Sequence, residues 1–449
     1  MNQTPIMNNF PFSPISAWLN EPENIQPSLN QDISVDVVIV GGGYTGLYTA
    51  LELRKAGMSV AVLEQEFSGS GGSGRNSGYV DGLIGKDFPS LLKLYKIERA
   101  RELCDFAMEA VRKLEDFIQK NHIACEYAPN GNIMAAVHPD QIKRLNKVAH
   151  ASEALGMDFT YLGPEAMRER GIPSSFVAGI FDSVGGTLNP GLLINGIRKL
   201  AIEKGVQLFE KTKVLNLTET QPVRAYCENG VVSAKSAVIA TNAYSNELGW
   251  KKRMVTPIYA AMCETEPLNS EQLSVLGWAG REGIYTAHEQ LENYRLTARN
   301  TIITGGKYVK IPFGFQVSGS TYMPDLFKKI EMIFRERFVD YADLKVHTFW
   351  GGWIGMSLDF MPVIGKTGKH QNIHYGLGFS GHGIPQTLLV GELLAAQIQG
   401  LDHPLAKVLK RRVFPAPPEP FKWLVAKTLS GVFTSLDSIT DRKVMQLKR

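Results

Sequence analysis

The chain is short of cysteine, of long apolar runs and of excess charge, and each shortage excludes a class of protein. Its 4 cysteines are scattered over 449 residues. None forms a CxxC pair or stands in a Cys/His run with zinc spacing, so we expect no metal site. A disulfide framework is not expected in so long a chain, which favours a reducing compartment. Apolar residues at 44% and charged residues at 20% exclude a largely disordered protein.

The charge balance and the hydropathy pattern exclude two further classes. Forty-eight Lys and Arg against 44 Asp and Glu leave a net charge of +4, too balanced for a nucleic-acid-binding protein. The most apolar stretch, residues 35–51, contains four glycines and Asp36 and is too short to cross a ~30 Å hydrocarbon core. Residues 1–14 carry neither a basic residue nor an apolar run, so no secretory signal is expected. These features predict a soluble, cytoplasmic protein.

The hydrophobic pattern divides the chain. Residues 1–32 are rich in Pro, Asn and Ser and are interpreted as an N-terminal extension, with Trp18 and Leu19 packed down. From residue 35 a β-branched run, a glycine turn, a helical segment and a second strand ending at Glu64 predict a βαβ unit. Later segments predict a helical region at 87–121, strands at 125–137, 176–188, 206–216, 256–266 and 284–310, and helices at 324–340 and 384–399.

The glycine turn of this unit has the form GxGxxG, GGGYTG at residues 41–46, with Tyr44 and Thr45 inside it. Gly41 permits the tight turn, Gly43 lets a pyrophosphate approach the backbone, and Gly46 lets helix and strand pack closely. The helix that begins there offers free amides to phosphates. Glu64, 18 residues after Gly46, can accept hydrogen bonds from both ribose hydroxyls and disfavours a 2′-phosphate. The pattern predicts a dinucleotide site and not an NADP site.

A second glycine-rich loop follows at once, SGRNSG at residues 73–78. The small residues Gly74 and Ser77 let this loop lie over a flat ring or a pyrophosphate. Arg75 offers a bidentate cation, and Asn76 offers both a donor and an acceptor. The alternative interpretation is a flexible linker.

These motifs together resemble a known family. GGGYTGL, SGRNSG, the ATNAY segment at 240–244 and GFSGHG at 378–383 are similar to the D-amino-acid-oxidase (DAO) superfamily of FAD-dependent oxidoreductases. Within it the chain most resembles the γ-glutamylputrescine oxidase branch, over about residues 33–403. The Pro-rich tail with its amphipathic segment resembles the branch of the aminophosphonate oxidoreductases.

The resemblance implies an α/β protein with two interleaved domains. A Rossmann-type FAD-binding domain would be assembled from residues 33–122, 186–252 and 357–403. An α+β substrate domain, built on a mixed or antiparallel sheet, would come from residues 123–185 and 253–356. Residues 404–449 remain as a C-terminal amphipathic tail.

The resemblance also implies further contacts with the cofactor. Val214 would pair with the adenine through its backbone, and Thr241 would end a strand that returns to the cofactor. Gly381, His382 and Gly383 would place helix N-terminal amides near the flavin pyrimidine ring, where negative charge develops on reduction. No cysteine lies in the Gly-rich segment 351–383, so non-covalent FAD is expected.

Candidates for substrate binding and catalysis are less specific, and for each the alternative is ordinary packing or a structural ion pair. Tyr259, Met262 and Tyr285 would line the substrate sheet, and Trp350 and Trp353 would form an aromatic wall. Arg295 would meet a substrate anion. The catalytic candidates, near the flavin ring, are His382, Lys307 and Trp350.

The reaction that the resemblance implies is oxidation of a C–N bond in an amine or amino-acid-like substrate. Hydride passes to flavin N5, the imine is hydrolysed to a carbonyl product, and oxygen or another acceptor reoxidises the flavin. Two alternatives stay open: an NAD(P)H-linked flavin reductase or hydroxylase, and a non-catalytic flavoprotein subunit of a larger dehydrogenase. A small-molecule amine is the expected partner.

The tail predicts an amphipathic helix at 421–439, with an apolar stripe that we list as Trp423, Leu424, Leu429, Val432, Phe433 and Leu436. We expect this stripe to pack on the FAD domain or on a second subunit. The alternative is contact with an anionic membrane surface. Asp437 and Asp441 argue against the membrane, because acidic lipid would repel them.

Overall fold

A computed structural model of the chain describes residues 10–315, 317 and 321–447. Its strands are β1 Ile33–Val40, β2 Val60–Leu63, β3 Tyr79–Val80, β4 Asn132–Ala136, β5 Phe159–Leu162, β6 Ala178–Asp182, β7 Gly186–Thr187, β8 Gln207–Phe209, β9 Asn216–Leu217, β10 Val223–Tyr226, β11 Val231–Ile239, β12 Thr256–Thr265, β13 Gly283–Thr286, β14 Glu292–Leu296, β15 Ile302–Lys310, β16 Val346–Met356, β17 Val363–Thr367 and β18 Ile373–Leu377.

The helices alternate with these strands along much of the chain. They are α1 Tyr44–Lys55, α2 Phe88–Leu94, α3 Ile97–Lys120, α4 Ile142–Leu155, α5 Pro164–Glu169, α6 Pro190–Glu203, α7 Ser270–Leu276, α8 Pro324–Arg337, α9 Gly383–Gln399 and α10 Phe421–Leu447.

The first sheet is built around β1, in the order β17-β18-β11-β1-β2-β8, with β10 and β9 extending from β11. Strands β18, β11, β1, β2 and β8 run parallel, and β17 is antiparallel. The last four residues of β1 are all buried, as expected of a central parallel strand that is covered on both faces. The unit β1–α1–β2, with β11 on the other side of β1, is a doubly wound, Rossmann-type arrangement.

The second sheet is mixed and mostly antiparallel, in the order β16-β12-β15-β14-β13-β4-β6-β5. Only β13 and β4 are parallel neighbours in it. Its strands lie between residues 132–182 and 256–356, whereas those of the first sheet lie at 33–63, 207–239 and 363–377. The chain therefore passes between the two sheets repeatedly, which confirms the interleaved fold class. The outer boundaries proposed for the domains stay predictions.

The elements confirm the predicted pattern with local corrections. The helical region expected at 87–121 is two helices, because the backbone at Tyr95 and Lys96 is extended between α2 and α3. The strand expected at 206–216 is only the short β8, followed by an irregular segment before β9. The strand expected at 125–137 forms only at its end, as β4.

The N-terminal extension is packed against both sheets from residue 10 onward. Trp18 and Leu19 are buried, as predicted. The indole Nε1 of Trp18 donates to the Asn76 carbonyl at 3.0 Å, and the Ser16 hydroxyl donates to the Gly74 carbonyl at 2.7 Å. Nearer its start, Phe12 forms a parallel bridge with Phe349 of β16. The extension therefore supports the loop that follows β2.

The C-terminal helix lies elsewhere than predicted. α10 packs on the second sheet and its flanking segments through polar contacts and through Val444, which is buried in an apolar cluster with residues of that sheet. Asp437 accepts the backbone amides of Glu289 and Gln290, both at 2.9 Å. Asp441 pairs with Lys307 at 2.7 Å and with Arg337 at 2.8 Å. The predicted apolar packing against the FAD domain is wrong, because this helix turns its polar side toward the protein.

Candidate active site and cofactor cleft

A cavity of about 420 Å³ opens beside the carboxyl ends of β1, β2 and β11, between the two sheets. In an open α/β sheet this edge is where ligands bind, next to the point at which the strand order reverses. Thirteen of the predicted site residues line it: Gly41, Gly43, Tyr44, Thr45, Glu64, Arg75, Asn76, Ser77, Val214, Thr241, Trp353, Gly381 and Gly383.

The glycine turn has the geometry that the motif requires. Gly41 has φ of +107°, and a Cβ there would lie 2.8 Å from the Ala240 carbonyl oxygen. A Cβ on Gly46 would lie 2.0 Å from the Gly41 oxygen, so Gly46 serves the close helix–strand packing and does not line the cavity. A Cβ on Gly43 would lie 2.9 Å from the Ser73 hydroxyl oxygen, on the cavity side. A side chain at residue 43 would therefore fill the cradle.

Helix α1 begins at this turn with its positive end toward the cavity. Its N-cap is Gly43, it has no side-chain cap, and its first turn contains no acidic residue. The Ser73 hydroxyl, from the second glycine loop, accepts the Tyr44 amide at 3.0 Å. The partial positive charge of the helix end is thus left for an anion, as in other phosphate sites of this type.

Glu64 lies at the tip of β2 and helps to shape the turn. Its carboxylate accepts the Gly42 amide at 2.8 Å and the Glu66 amide at 3.0 Å. Burial raises the pKa of this carboxyl group, against the lowering effect of the two amides. An ionised carboxylate has about four acceptor positions, so two remain for hydroxyl groups of a ligand.

The conformation of the loop after β2 is fixed by hydrogen bonds from its own polar side chains. Asn76 donates through Nδ2 to the carbonyls of Gly72 and Ser73, and its Oδ1 accepts the Gly78 amide at 2.9 Å. Gly74 does not line the cavity, since a Cβ there would meet the Gly69 oxygen and Leu19 at 2.5 Å. The flexible-linker interpretation is therefore wrong for this loop.

Arg75 joins this loop to the second sheet. Its Nε donates to the Ser70 carbonyl at 2.6 Å, and its Nη1 donates to the Gly351 carbonyl of β16 at 3.0 Å. Both acceptors are backbone carbonyls. Arg75, predicted to bind a ligand through two N–H groups, therefore already uses part of its guanidinium to connect the loop with the second sheet. Its aliphatic stem packs under Gly352, which has no room for a larger residue.

The far end of the cavity is formed by the start of α9. Gly381 and Gly383 line it, whereas His382 does not. The His382 ring turns instead to Asp81, with Nδ1 at 3.2 Å from Oδ1. Burial alone would lower the pKa of His382, but the Asp81 carboxylate raises it, and the net direction is upward. The helix N-terminus again has no acidic residue in its first turn and no side-chain cap.

Two of the predicted aromatic and catalytic residues are structural. Trp350 is fully buried, donates through Nε1 to the Arg75 carbonyl at 3.0 Å, and does not line the cavity. Tyr259 is fully buried, and its hydroxyl donates to the Thr321 carbonyl at 2.6 Å. Trp353, which packs edge-on against Tyr259, is the one of the three that reaches the cavity.

The other substrate-sheet candidates also lie off the cavity. Met262 is buried in the main core, and the half-buried Tyr285 packs against that core from β13. Arg295 is buried, and its Nη1 donates to the carbonyls of Ser77 and Leu188 at 2.9 and 2.6 Å. Among the described residues, Arg295 forms no ion pair with an acidic side chain, and it does not line the cavity. Both predicted roles, contact with a substrate anion and a structural ion pair, are therefore wrong for these residues.

Lys307 does not line the cavity, although it was predicted to lie near the flavin ring. Its Nζ pairs with Glu292 at 2.5 Å and with Asp441 of α10 at 2.7 Å. Arg337 completes this buried cluster by pairing with both carboxylates. A β-bulge between β12 and β15, together with the φ of +53° at Lys307, turns the side chain away from the cavity. Two cations face two carboxylates in this cluster, and the buried His288 ring adjoins it with Nε2 at 3.3 Å from Asp441.

Sequence reasoning missed several residues that line the cavity. Ser73, Tyr79, Tyr244, Phe379, Ile384 and Thr387 belong to this group. Tyr244 and Phe379 lie inside the ATNAY and GFSGHG segments, so their motifs were noticed but their side chains were not assigned. Tyr79 had no such signal, because the short pairing of β3 with β7 brings it there.

These residues fit FAD. The glycine cradle leaves room for a pyrophosphate, Glu64 has acceptor positions left, and Val214 lies on the same side of the cavity as Glu64. From there the cavity extends to Trp353, Phe379 and the α9 N-terminus, which supply a flat apolar surface and positive potential for a flavin ring.

Comparison with known proteins agrees with this geometry. The family model for FAD dependent oxidoreductases (DAO) matches residues 36–397. Gamma-glutamylputrescine oxidoreductase of Escherichia coli is 30% identical over 378 residues, which is 83% of this chain and 85% of that protein. A probable oxidoreductase OrdL of Haemophilus influenzae is 27% identical, over 85% of this chain and 86% of its own.

Solved structures share the fold at lower identity. Glycine oxidase from Geobacillus kaustophilus superposes with a TM-score of 0.72 at 17% identity, covering 85% of this chain and 100% of that one. L-proline dehydrogenase from P. horikoshii gives 0.68 at 20% identity, covering 85% of this chain and 96% of that one. With its glycine cradle, its Glu64 and its interleaved sheets, the chain belongs to the DAO family of FAD-dependent oxidoreductases.

Proposed function

We propose that the protein oxidises a C–N bond of an amine or amino-acid-like substrate to an imine, which water then hydrolyses to a carbonyl product. The observation that carries the proposal is the single cavity, which joins the dinucleotide cradle at one end to Trp353, Phe379 and the α9 N-terminus at the other. FAD bound there supplies a two-electron acceptor that takes hydride.

The electrostatics of the far end suit an amine that reacts in its neutral form. Arg75 lies on the cavity wall, and the N-terminus of α9, with no acidic residue in its first turn, adds the positive end of a helix dipole. A nearby positive charge lowers the pKa of a bound ammonium group, which favours loss of its proton before oxidation. The same potential stabilises negative charge at this end of the cavity.

The aromatic residues of the cavity are suited to orienting the substrate and excluding water from it, and not to acid–base catalysis. Trp353 and Phe379 are almost fully buried and present flat apolar faces to the cavity. Burial raises the pKa of the Tyr244 hydroxyl, so this group stays protonated and neutral at physiological pH. Positioning of substrate and shielding from solvent are the contributions that this arrangement can make.

The class of amine rests on similarity alone. The Escherichia coli relative is by name a gamma-glutamylputrescine oxidoreductase, and the two structural neighbours act by name on glycine and L-proline. We infer that a primary or secondary amine of that size range is the substrate. Reoxidation by oxygen or by another acceptor completes the cycle.

An anaerobic reduction screen tests the proposal. Purified flavoprotein is mixed without oxygen with a panel of polyamine derivatives, secondary amines, aminophosphonates and amino acids, and loss of the visible flavin absorption is followed. We expect at least one amine to bleach the flavin rapidly and NADH alone not to do so. Bleaching by NADH alone would support a flavin reductase, and a protein that never takes up flavin would support a non-catalytic role.

A matched pair of tryptophan variants ties the activity to the cavity. Trp353→Phe should slow reduction by the amine, because this ring lines the cavity. Trp350→Phe, at a buried residue of the same strand that does not line the cavity, should change stability but leave the reduction rate unchanged. Equal effects of the two substitutions would contradict the placement of the substrate.

A further inference from the structure

Helix α10 carries its polarity the wrong way round for a helix that packs on a protein. Its inward side contributes Asp437, Asp441 and Lys422 to hydrogen bonds and ion pairs with the second sheet and its flanking loops. An ordinary surface helix, such as α3, buries its apolar side instead. The polar anchors fix the rotation of α10 about its axis.

The outward side of α10 is apolar along most of its length. Its large side chains are between 44% and 62% exposed: Phe421, Leu424, Val425, Leu429, Val432, Leu436 and Ile439. At 100° per residue these seven, which we call the outer stripe, span an arc of about 140° over about 27 Å of helix. A contiguous exposed apolar patch of this size indicates an interaction site.

The tail also has a large excess of positive charge. Residues 404–449 contain ten Lys and Arg but only three Asp and Glu, a net +7, although the whole chain carries +4. The remaining 403 residues therefore carry −3. All three acidic residues are engaged with the protein: Glu419 with Lys422 and the Gly314 amide, Asp437 with two backbone amides, and Asp441 with Lys307 and Arg337.

Exposed cations adjoin the outer stripe. Lys427 and Arg442 are exposed on α10 itself. Lys407, Lys410 and Arg412 are exposed earlier in the tail, where they line a surface cavity with Tyr95 and Asp359. Arg412 stacks over the exposed Phe414 at 4.8 Å from the ring centroid. The sequence disfavours a membrane because the apolar stripe is short, because Ser and Thr interrupt it, and because acidic lipid would repel Asp437 and Asp441. The third reason does not hold, since both carboxylates are directed to the protein.

We propose that α10 lies flat on the surface of an anionic lipid bilayer, with the outer stripe in the headgroup–acyl boundary and the tail cations among the lipid phosphates. An apolar face flanked by Lys and Arg, with no acidic residue directed outward, is the pattern of an interfacial helix. No helix in the described part of the chain is long and apolar enough to span a bilayer. A second copy of the chain is disfavoured as occupant, because pairing two tails would bring two +7 segments together.

Vesicle sedimentation tests this docking on the complete flavoprotein. Vesicles of phosphatidylcholine with one quarter phosphatidylglycerol are compared with pure phosphatidylcholine, at low and high salt. We expect binding to the anionic vesicles that falls with salt and is weak on the neutral ones. Absence of binding to the anionic vesicles, or equal binding to both kinds, would overturn the proposal.

Variants separate the stripe from the charge. The triple change Leu429→Ser, Val432→Ser and Leu436→Ser, which leaves the net charge unaltered, should weaken binding at least about tenfold. Val275→Ser, at an apolar residue of α7 that is still more exposed, is the control and should bind as the parent protein does. Lys410→Gln with Arg412→Gln should weaken binding by roughly fivefold for each charge removed.

The oligomeric state of the same variants tests the alternative occupant. If the parent protein is dimeric, the triple variant is monomeric and neither binds vesicles, the outer stripe is a subunit interface and the proposal is wrong. Flavin content and amine reduction in solution should be the same for parent and variants, so failure of docking is distinguishable from failure of the proposed reaction.

Discussion

Glu64 has two roles in the cofactor cleft, and a single substitution tests its contribution to FAD binding. Its carboxylate holds the Gly42 and Glu66 amides and keeps acceptor positions free toward the cavity. Glu64→Ala should weaken FAD binding by about 1.5–3 kcal/mol, the usual range for hydrogen bonds to a charged group. Fluorescence titration of the apoprotein with FAD measures this. Glu52→Ala, at a surface ion pair on α1, is the control and should bind normally. Full flavin retention by Glu64→Ala after dialysis would contradict the assignment.

The attachment of the flavin can also be predicted from single residues. Neither a cysteine nor a histidine is among the described residues that line the cavity. Burial raises the pKa of the Cys263 thiol, and a thiol that stays protonated is a poor nucleophile. Acid precipitation should therefore release the yellow colour into the supernatant. Colour that stays in the pellet would indicate a covalent link.

At the scale of elements, the attachment of α10 depends on the buried cluster of Lys307, Glu292, Arg337 and Asp441. Lys307→Met would leave Glu292 and Asp441 to share Arg337, and removal of one partner from a buried ion-pair cluster costs about 3–5 kcal/mol. We expect a lowered free energy of unfolding with an unchanged flavin reduction rate, because Lys307 does not reach the cavity. Lys310→Met, at the exposed end of the same strand, is the control. A slower reduction rate at unchanged stability would restore a catalytic role for Lys307.

The same cluster predicts a dependence on acid. Burial alone would raise the pKa of Glu292, but Arg337 and Lys307 lower it from 4.5 to about 2. A carboxyl group whose pKa is lower in the folded state contributes stability above its unfolded pKa and loses that contribution as pH falls. The α10 attachment should thus hold at neutral pH and weaken between about pH 4.5 and 2. Limited proteolysis of the tail across this range measures it, and Asp441→Asn should flatten the dependence.

The helices and strands show what local pattern can predict. β1, α1 and β2 were predictable because turn glycines, β-branched residues and an acid at the strand tip all specify the same unit. Four residues of the predicted apolar stripe, Leu424, Leu429, Val432 and Leu436, belong to the outer stripe, whereas its Trp423 and Phe433 are half-buried. Periodicity does not say which side of a helix faces the protein. That depends on Lys307 and Arg337, more than a hundred residues earlier in the chain, whose buried charges need Asp441.

The sequence also could not predict which way side chains point on the second sheet. Alternation along a strand assigns faces only while the register is regular, and the bulge between β12 and β15 breaks it before Lys307. Trp350 and Trp353, three residues apart, fall on opposite faces of β16, so only one can reach the cavity. No spacing rule could say which of them does.

At the scale of the whole molecule, Trp18 connects the N-terminal extension, the cofactor loop and the second sheet. It bonds the Asn76 carbonyl, lies edge-on to Trp350 at 6.1 Å and carries the Arg295 guanidinium over its ring. Trp18→Ala should cost about 3–5 kcal/mol of stability and loosen FAD. Trp18→Phe keeps the ring and should cost only about 0.5–1.5 kcal/mol. Denaturant unfolding and FAD titration measure both, with the half-buried Trp250→Phe as control. Unchanged FAD affinity in Trp18→Ala would show that the extension does not support the loop.

The pairing of β1 with β11 has a consequence for how the chain is made. Ile33 pairs with Val232, so the ribosome must add about 200 residues before β1 finds its second neighbour. At ~5–20 residues per second this takes about 10–40 s, during which one edge of an apolar strand stays unpaired. Thr241 and Gly381 emerge later still, so flavin cannot bind and stabilise the nascent chain. Cofactor loading is therefore a post-synthetic event, and a chaperone that shields strand edges is the factor whose supply should limit the yield of coloured protein.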